Sequence, residues 1–349
     1  MTWFQHNFNI NVEAFSFALL SILFEGIPFL LLGSIISGIV DVFVSSDRVA
    51  KMMPKSAVGS VFLAGLMGLA FPICECGSVV VVRRFIRKGL PLASAVSYML
   101  AAPIVSPIVA ISTFKAFSGG SVGGVTMEPW MITLMRLGMG FSIAVIVALI
   151  VQRLPHSRIL QPGLLVPDSA PKRTGLKIAD PGLPVGENTD FAAVVAQSST
   201  GRKLLLAVQS AATDFLDVVF FFVIGASLAS LFVGFKEAAI EPLATAPFLS
   251  IITLMGVAAI LCLCSTTDAF VAANAFSKFS LAANLGFLVF GPMFDVKLFW
   301  LYGMIFKRRF VLLMAAGMFA LVAFICWQIG RADAFQPKPI PASAQLASP

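Results

Sequence analysis

The feature that most limits what this chain can become is a series of apolar stretches, each near 20 residues or longer, repeated along most of its 349 residues. A hydrocarbon core of about 30 Å takes roughly 20 helical residues to cross. Short charged or Pro/Gly segments separate the stretches, which is the pattern of membrane helices and not of a barrel. A mean hydropathy of +0.95, with 58% hydrophobic and 12% charged residues, leaves too little polar surface for a water-soluble fold of this size. The stretch Met1 to Glu13 has no Lys or Arg, and the apolar run after it outlasts a signal peptide without a small-residue cleavage site. It reads as a retained membrane helix. The expected fold class is therefore all-α: a polytopic membrane protein of about eight transmembrane helices in two repeated halves.

The first spanning segment is Ala14 to Val44, and the second begins near Val58 after the basic stretch Arg48 to Lys55. The second is interrupted at Cys74-Glu75-Cys76-Gly77 and resumes as Ser78 to Ile86, close to Arg83, Arg84, Arg87 and Lys88. The third, Pro91 to Phe117, contains Pro103 and Pro107, each of which removes a backbone donor and disfavours helix in the residue before it. Met131 to Val151 closes a first membrane repeat over residues 14–151. Residues 152–203 hold six prolines among charged and small residues without periodicity, and read as a disordered cytoplasmic linker. A second repeat, 204–328, follows with segments at Leu204 to Val233, Ala246 to Cys264 running on to Phe276, Leu281 to Ile305, and Phe310 to Trp327. The Pro/Ala/Ser-rich tail, 329–349, reads as disordered.

With four crossings per half, fourteen basic residues fall on the side of the N-terminus, linker and C-terminus, against eight on the other. The positive-inside rule then puts both termini and the linker in the cytoplasm of a multi-pass inner-membrane protein. If an interrupted segment is instead a re-entrant hairpin, the parity changes.

The halves match in register. Placing Gly33 on Gly225 puts Glu25 on Asp217, an acid embedded in an apolar helix in each half. Placing Cys76 on Cys264 pairs Cys74 with Cys262, and within one residue of that register Pro103 falls on Pro292. Interrupted helices in corresponding places of duplicated halves point to a transport site, because unwound backbone at membrane depth survives only when buried in protein or lining a cavity. Four crossings per half relate the halves by an axis along the membrane normal, and an odd number inverts them. Both arrangements stay open at this stage.

Four of the five cysteines form two Cys-x-Cys pairs at these breaks, while Cys326, alone in the last helix, reads as structural. So few cysteines in apolar sequence do not make a secreted disulfide framework. Paired thiols at a helix break suit soft, thiophilic species such as trivalent arsenic or Cu(I), although a single cysteine is equally at home as a small apolar residue. Ser265, Thr266, Thr267 and Asp268 follow the second pair and can cap a half-helix whose free amides face the site. Asp295 and Lys297 place an acid and a base inside apolar sequence, as a buried lock or a coupling element. In the first half Ser106 stands where the acid would be, so with Pro103 it completes an unequal set of substrate-binding candidates. Glu25 and Asp217 are candidates for proton coupling; the alternative for Glu25 is a structural pairing with an arginine such as Arg136.

The net charge of +7 is carried by loops beside membrane segments, where it orients the protein, so nucleic acid is not an expected partner. No G-x-x-x-x-G-K-[ST] sequence is present, and the residues call for no cofactor and no resident metal. The expected partners are the lipid bilayer and a small solute, with a homo-oligomer or an accessory protein left open.

The segments Pro72-x-Cys-x-Cys-Gly77, Ala101-Ala-Pro-x-x-x-Pro107, Cys264-Ser-Thr-Thr-Asp268 and Gly291-Pro-Met-x-Asp-x-Lys297 resemble those of the ArsP/YraQ-type predicted permeases over roughly residues 10 to 330. The resemblance implies an eight-helix permease, and its arsenic-permease branch implies efflux of trivalent organoarsenicals with cysteines in the site. The family's first motif commonly reads Cys-Ser-Cys-Gly, whereas Glu75 occupies the middle position here. An acid at the break favours a cationic species, or it faces away from the path. The reading that results is an inner-membrane permease, not an enzyme, exporting a small thiophilic or metalloid solute by alternating access. Its rival is a membrane thiol-redox enzyme that passes electrons between the cysteine pairs.

Overall fold

A computed structural model of the chain describes residues 12–43, 53–70 except 55, 73–118, 128–161, 200–233 and 247–331 except 278. The segments expected to be disordered, most of the linker and nearly all of the tail, lie outside these residues, as does the N-terminal stretch before residue 12. The described residues form thirteen helices and no β-strand, which is an all-α polytopic membrane architecture.

The first half consists of α1 (Val12–Phe43), α2 (Ala57–Ala70), α3 (Glu75–Arg87), α4 (Leu92–Ala101), α5 (Pro107–Ala116) and α6 (Pro129–Gln152). After the short α7 (His156–Ile159), the second half has α8 (Thr200–Val233), α9 (Pro247–Leu261), α10 (Asp268–Ala275), α11 (Leu281–Met293), α12 (Val296–Tyr302) and α13 (Arg308–Arg331). Each half thus runs long helix, broken pair, broken pair, long helix. The breaks fall where the sequence places them. Proline opens α5 at Pro107, where its missing N–H costs nothing, and Pro292 stands one residue before the end of α11. Asp295 caps α12, its Oδ1 accepting from the Leu298 amide at 2.6 Å.

Chain direction follows from which residues meet. α2 and α4 run parallel: Ser60 Oγ lies 2.7 Å from Ser94 Oγ, Ser97 Oγ donates to the Val61 carbonyl at 2.8 Å, and Gly68 abuts Ala102. α3 and α4 are joined by a short turn around Gly89, whose φ of +88° suits glycine, and they run antiparallel, Ser78 at the start of α3 lying against Met99 near the end of α4. α3 must therefore return to the end of the bundle from which α2 entered. The second half repeats this: α9 parallels α11, with Met255 against Gly286 and Ala258 against Gly291, and Asn284 bonds back to the Phe276 carbonyl just after α10.

Two of the eight membrane segments, α2–α3 and α9–α10, thus double back, and six run end to end. The side assignment made with four crossings per half is corrected by this. The start of α1 and the end of α13 lie at one end of the bundle; the end of α6 and the start of α8, where the linker joins, lie at the other. That linker end is pinned by the antiparallel bridge between Leu160 and Phe306. The opposite end is marked by Gly330 beside Ala282 and by Phe248 stacked edge-on against Trp327.

α1 and α8 pack antiparallel along their length, Gly38 meeting Ala207 and Gly26 meeting Phe222. The pair lies on α3 and α12. At both contacts a glycine admits the neighbouring backbone: a Cβ on Gly33 would sit 2.6 Å from Gly77 Cα, and one on Gly225 would sit 2.6 Å from Lys297 Cα. Real Cβ atoms do not approach so closely, so the two glycines aligned between the halves both serve helix approach.

Candidate functional site

The two cysteine breaks come together. Ile22 and Gly26 of α1 and Phe222 of α8 close over a cavity of about 20 Å³, whose other walls are Cys74, Glu75, Cys76, Cys262, Leu263, Cys264 and Lys297. Space of that size takes about one water molecule. Both Cys-x-Cys pairs, one from each half, therefore face a single small, partly open cavity. None of the five cysteines forms a disulfide.

Local structure explains the convergence. Cys74 sits at the cap of α3 in extended conformation, its Sγ accepting from the Gly77 amide at 3.3 Å. Glu75 and Cys76 are then the first residues of the helix and turn inward, 2% and 3% exposed. On the other side Cys262 has φ of 51°, the one non-glycine residue with positive φ among those described, a conformation costly for a residue with a β-carbon. Its carbonyl accepts from Lys297 Nζ at 3.3 Å.

Lys297 is the hub. Its ammonium donates to Glu75 Oε1 at 3.0 Å and lies 3.4 Å from Asp295 Oδ2, with all three groups almost fully buried. The other oxygen of Glu75 is 3.9 Å from Cys264 Sγ. Two carboxylates thus share one ammonium, and among the described residues Asp295 Oδ2 has no hydrogen-bond partner. Glu75 lines the cavity and does not turn away from it. The acid–base pair read at Asp295 and Lys297 is present, with Glu75 as its third member and the shorter contact.

A second buried cluster lies beyond the second break. Arg136 on α6 donates to Asp268 Oδ2 at 2.7 Å, to the Ser265 carbonyl at 2.9 Å and to Thr113 Oγ1 at 2.8 Å. Among the described residues, Arg136 Nε and Asp268 Oδ1 have no hydrogen-bond partner. Arg136, named from sequence as a partner for Glu25, is therefore engaged by Asp268. Asp268 opens α10 with Thr267 at the cap, which bonds no helix amide through its side chain; the polar run supplies an arginine site and not a side-chain cap. Ser265 is buried, and Thr266 and Thr267 are half-buried in the turn. Pro103 and Ser106 are buried in the α4–α5 break and do not line the cavity.

The side chain of Glu25 is outside what the structure describes. Asp217 lies away from the cavity, 47% exposed, in a surface pair with Arg83 at 3.2 Å. Three residues earlier on α8 is an acid that the sequence reading passed over. Asp214, 3% exposed, takes a two-pronged contact from Arg84 at 2.8 and 3.0 Å and a hydrogen bond from Ser37 at 2.8 Å, while Arg84 also donates to Ser210 at 3.0 Å. The available signal was an acid spaced one turn from Asp217 within apolar sequence, together with the basic cluster at the end of α3. No three His, Cys, Asp or Glu side chains among the described residues are gathered closely enough to hold a metal ion.

Residues 12–329 match the pattern of a family described as predicted permease. The UPF0718 protein YcgR of Bacillus subtilis is 33% identical over 296 residues, covering 84% of this chain and 90% of its own. A putative two-component membrane permease complex subunit of Streptococcus mutans is 28% identical over 312 residues, covering 89% of this chain and 93% of its own. No solved structure matches.

Proposed function

The chain belongs to this predicted permease family, and from that premise we propose that it is an inner-membrane permease that exports a small thiophilic or metalloid solute through the cysteine-lined chamber. The observation that carries the reading is that Cys74 and Cys76 from one half, and Cys262 and Cys264 from the other, line one cavity although nearly 190 residues separate them. Four soft donors in one chamber favour trivalent arsenic or a soft monovalent metal over alkali cations or sugars. The surplus of acids around Lys297 adds a preference for species that arrive with positive charge.

Two thiols at a time, one pair per break, allow entry and release as the helices around the breaks shift in alternating access. We take residues 14–151 and 204–328 as the two repeats whose relative movement does this, joined by the cytoplasmic linker. Glu25 precedes the cavity-lining Gly26 and keeps its candidacy for proton coupling; Asp217, salt-bridged at the surface, does not. Because one relative is named as a subunit of a two-component permease complex, an accessory membrane protein is the partner to look for. The thiol-redox reading has less support, since Cys76, Cys262 and Cys264 are buried within the bundle.

The test is expression in a strain sensitive to arsenite, organoarsenicals, copper and zinc. Resistance to at least one should rise, and Cys74→Ser and Cys264→Ser should abolish the gain. If no resistance appears, the substrate lies outside the thiophilic class; if both variants protect as well as the parent, the cysteines have no part in transport.

A further inference from the structure

We propose that the two halves are inverted in the membrane, with the linker in the cytoplasm and both chain ends outside, and that the buried Arg84–Asp214 cluster is the cytoplasmic gate of the chamber. Three observations support it, and only the gate rests on the transport reading above.

The first is direction. With α2–α3 and α9–α10 doubling back, each half makes three end-to-end passes, and an odd number inverts the second half relative to the first. The antiparallel packing of α1 on α8 is what that inversion requires of matched helices.

The second is charge. Of the 24 Lys and Arg, seventeen fall, in sequence, beside helix ends at the linker end: three from Arg48 to Lys55, four from Arg83 to Lys88, seven from Arg153 to Lys203, and three from Lys307 to Arg309. Five fall, in sequence, beside helix ends at the opposite end: Lys115, Lys236, Lys278, Arg331 and Lys338. Arg136 and Lys297 are interior. Seventeen against five is a far steeper bias than the fourteen against eight that four crossings per half produce, and it orients the linker end to the cytoplasm.

The third is the unequal closure of the two ends. α3 and α12 run from the breaks to the linker end, and both are covered by the α1–α8 pair. There Arg84, Asp214, Ser37 and Ser210, none more than 5% exposed, tie α3 to α8 and α8 to α1. The matching half-helices at the other end are α10 and α5. They pack on one another, and among the described residues neither has extensive packing with α1 or α8. The alignment of the halves puts Ala272 at the position of Arg84 and Ile22 at that of Asp214, so no ion pair ties α10 to α1 at the matching positions; the buried Arg136–Asp268 pair ties α10 to α6 instead. A buried, fully hydrogen-bonded ion pair is a two-state element: broken on one side, it strands a charge, so it holds one end shut until α8 moves away from α3.

The test uses the full-length protein. Alkaline phosphatase or green fluorescent protein is fused after Pro349 or inserted after Gly175. Phosphatase should be active only at the C-terminus, and fluorescence should appear only from the linker; both reporters giving the same side at both sites overturns the inversion. For the gate, a membrane-impermeant methanethiosulfonate is applied to right-side-out and inside-out vesicles, and modification of native Cys74 is read by peptide mass spectrometry. The wild type should label from outside only. Asp214→Asn should raise labelling from the cytoplasmic side by about tenfold or more, since half of a buried pair shifts such an equilibrium at least that far. Asp217→Asn, altering only the surface pair, should not. If Asp214→Asn fails to accumulate, Arg84→Asp/Asp214→Arg carries the comparison and should keep the wild-type profile. Equal labelling of wild-type Cys74 from both faces, or preferential labelling from the cytoplasm, overturns the gate. These readouts need no substrate, so they stand apart from failure of the thiophilic reading.

Discussion

At the scale of single residues, Lys297 decides how the site holds together. It pairs with Glu75 across the halves and with Asp295 within its own, and nothing else among the described residues offsets those two acids. Lys297→Met should therefore cost about 3 kcal/mol or more, as removal of one partner from a buried pair does. It should appear as a fall in detergent melting temperature that Glu75→Gln in the same chain partly restores. An undiminished melting temperature in Lys297→Met would show that the acids are satisfied elsewhere. Much of this was legible in the sequence: the cysteine pairs, the embedded Asp295 and Lys297, and Glu75 as an intruder at the break. What the sequence left open was the partner of Glu75, 222 positions away. Asp214 went unread for the same reason, because its meaning lies in Arg84, 130 positions earlier on another helix.

At the scale of elements, proline, glycine and the polar runs announce where helices stop, and the structure stops them there. They do not announce which way the chain goes next. A break at membrane depth looks the same whether the helix continues across or doubles back, and only the parallel contacts of α2 with α4 reveal the return. The assumption of straight crossings failed at this point, and the side assignment failed with it. The long helices depend on close approach at Gly33 and Gly225. Gly33→Leu and Gly225→Leu should each force α1 or α8 off its neighbour and destabilise by about 1–3 kcal/mol. Gly138→Ala, with open space around it, should be neutral or slightly stabilising. Thermal unfolding of the three variants in one detergent checks the contrast, and equal losses in all three would remove the packing argument.

At the scale of the whole molecule, the two halves resemble each other in order of elements yet differ in what they bring to the centre. The first supplies two thiols, Glu75 and Arg136; the second supplies two thiols, Asp295, Lys297 and the buried Asp268 that pairs with Arg136. The central claim is that the solute crosses at the four thiols, and everted membrane vesicles test it directly. Accumulation of a trivalent organoarsenical or Cu(I) should depend on the wild-type protein and be unaffected by Cys326→Ser. It should fall about tenfold or more in Cys74→Ser and in Cys264→Ser, the factor that loss of about 1.4 kcal/mol of binding produces. Wild-type accumulation in the Cys74→Ser/Cys264→Ser double variant would contradict the account.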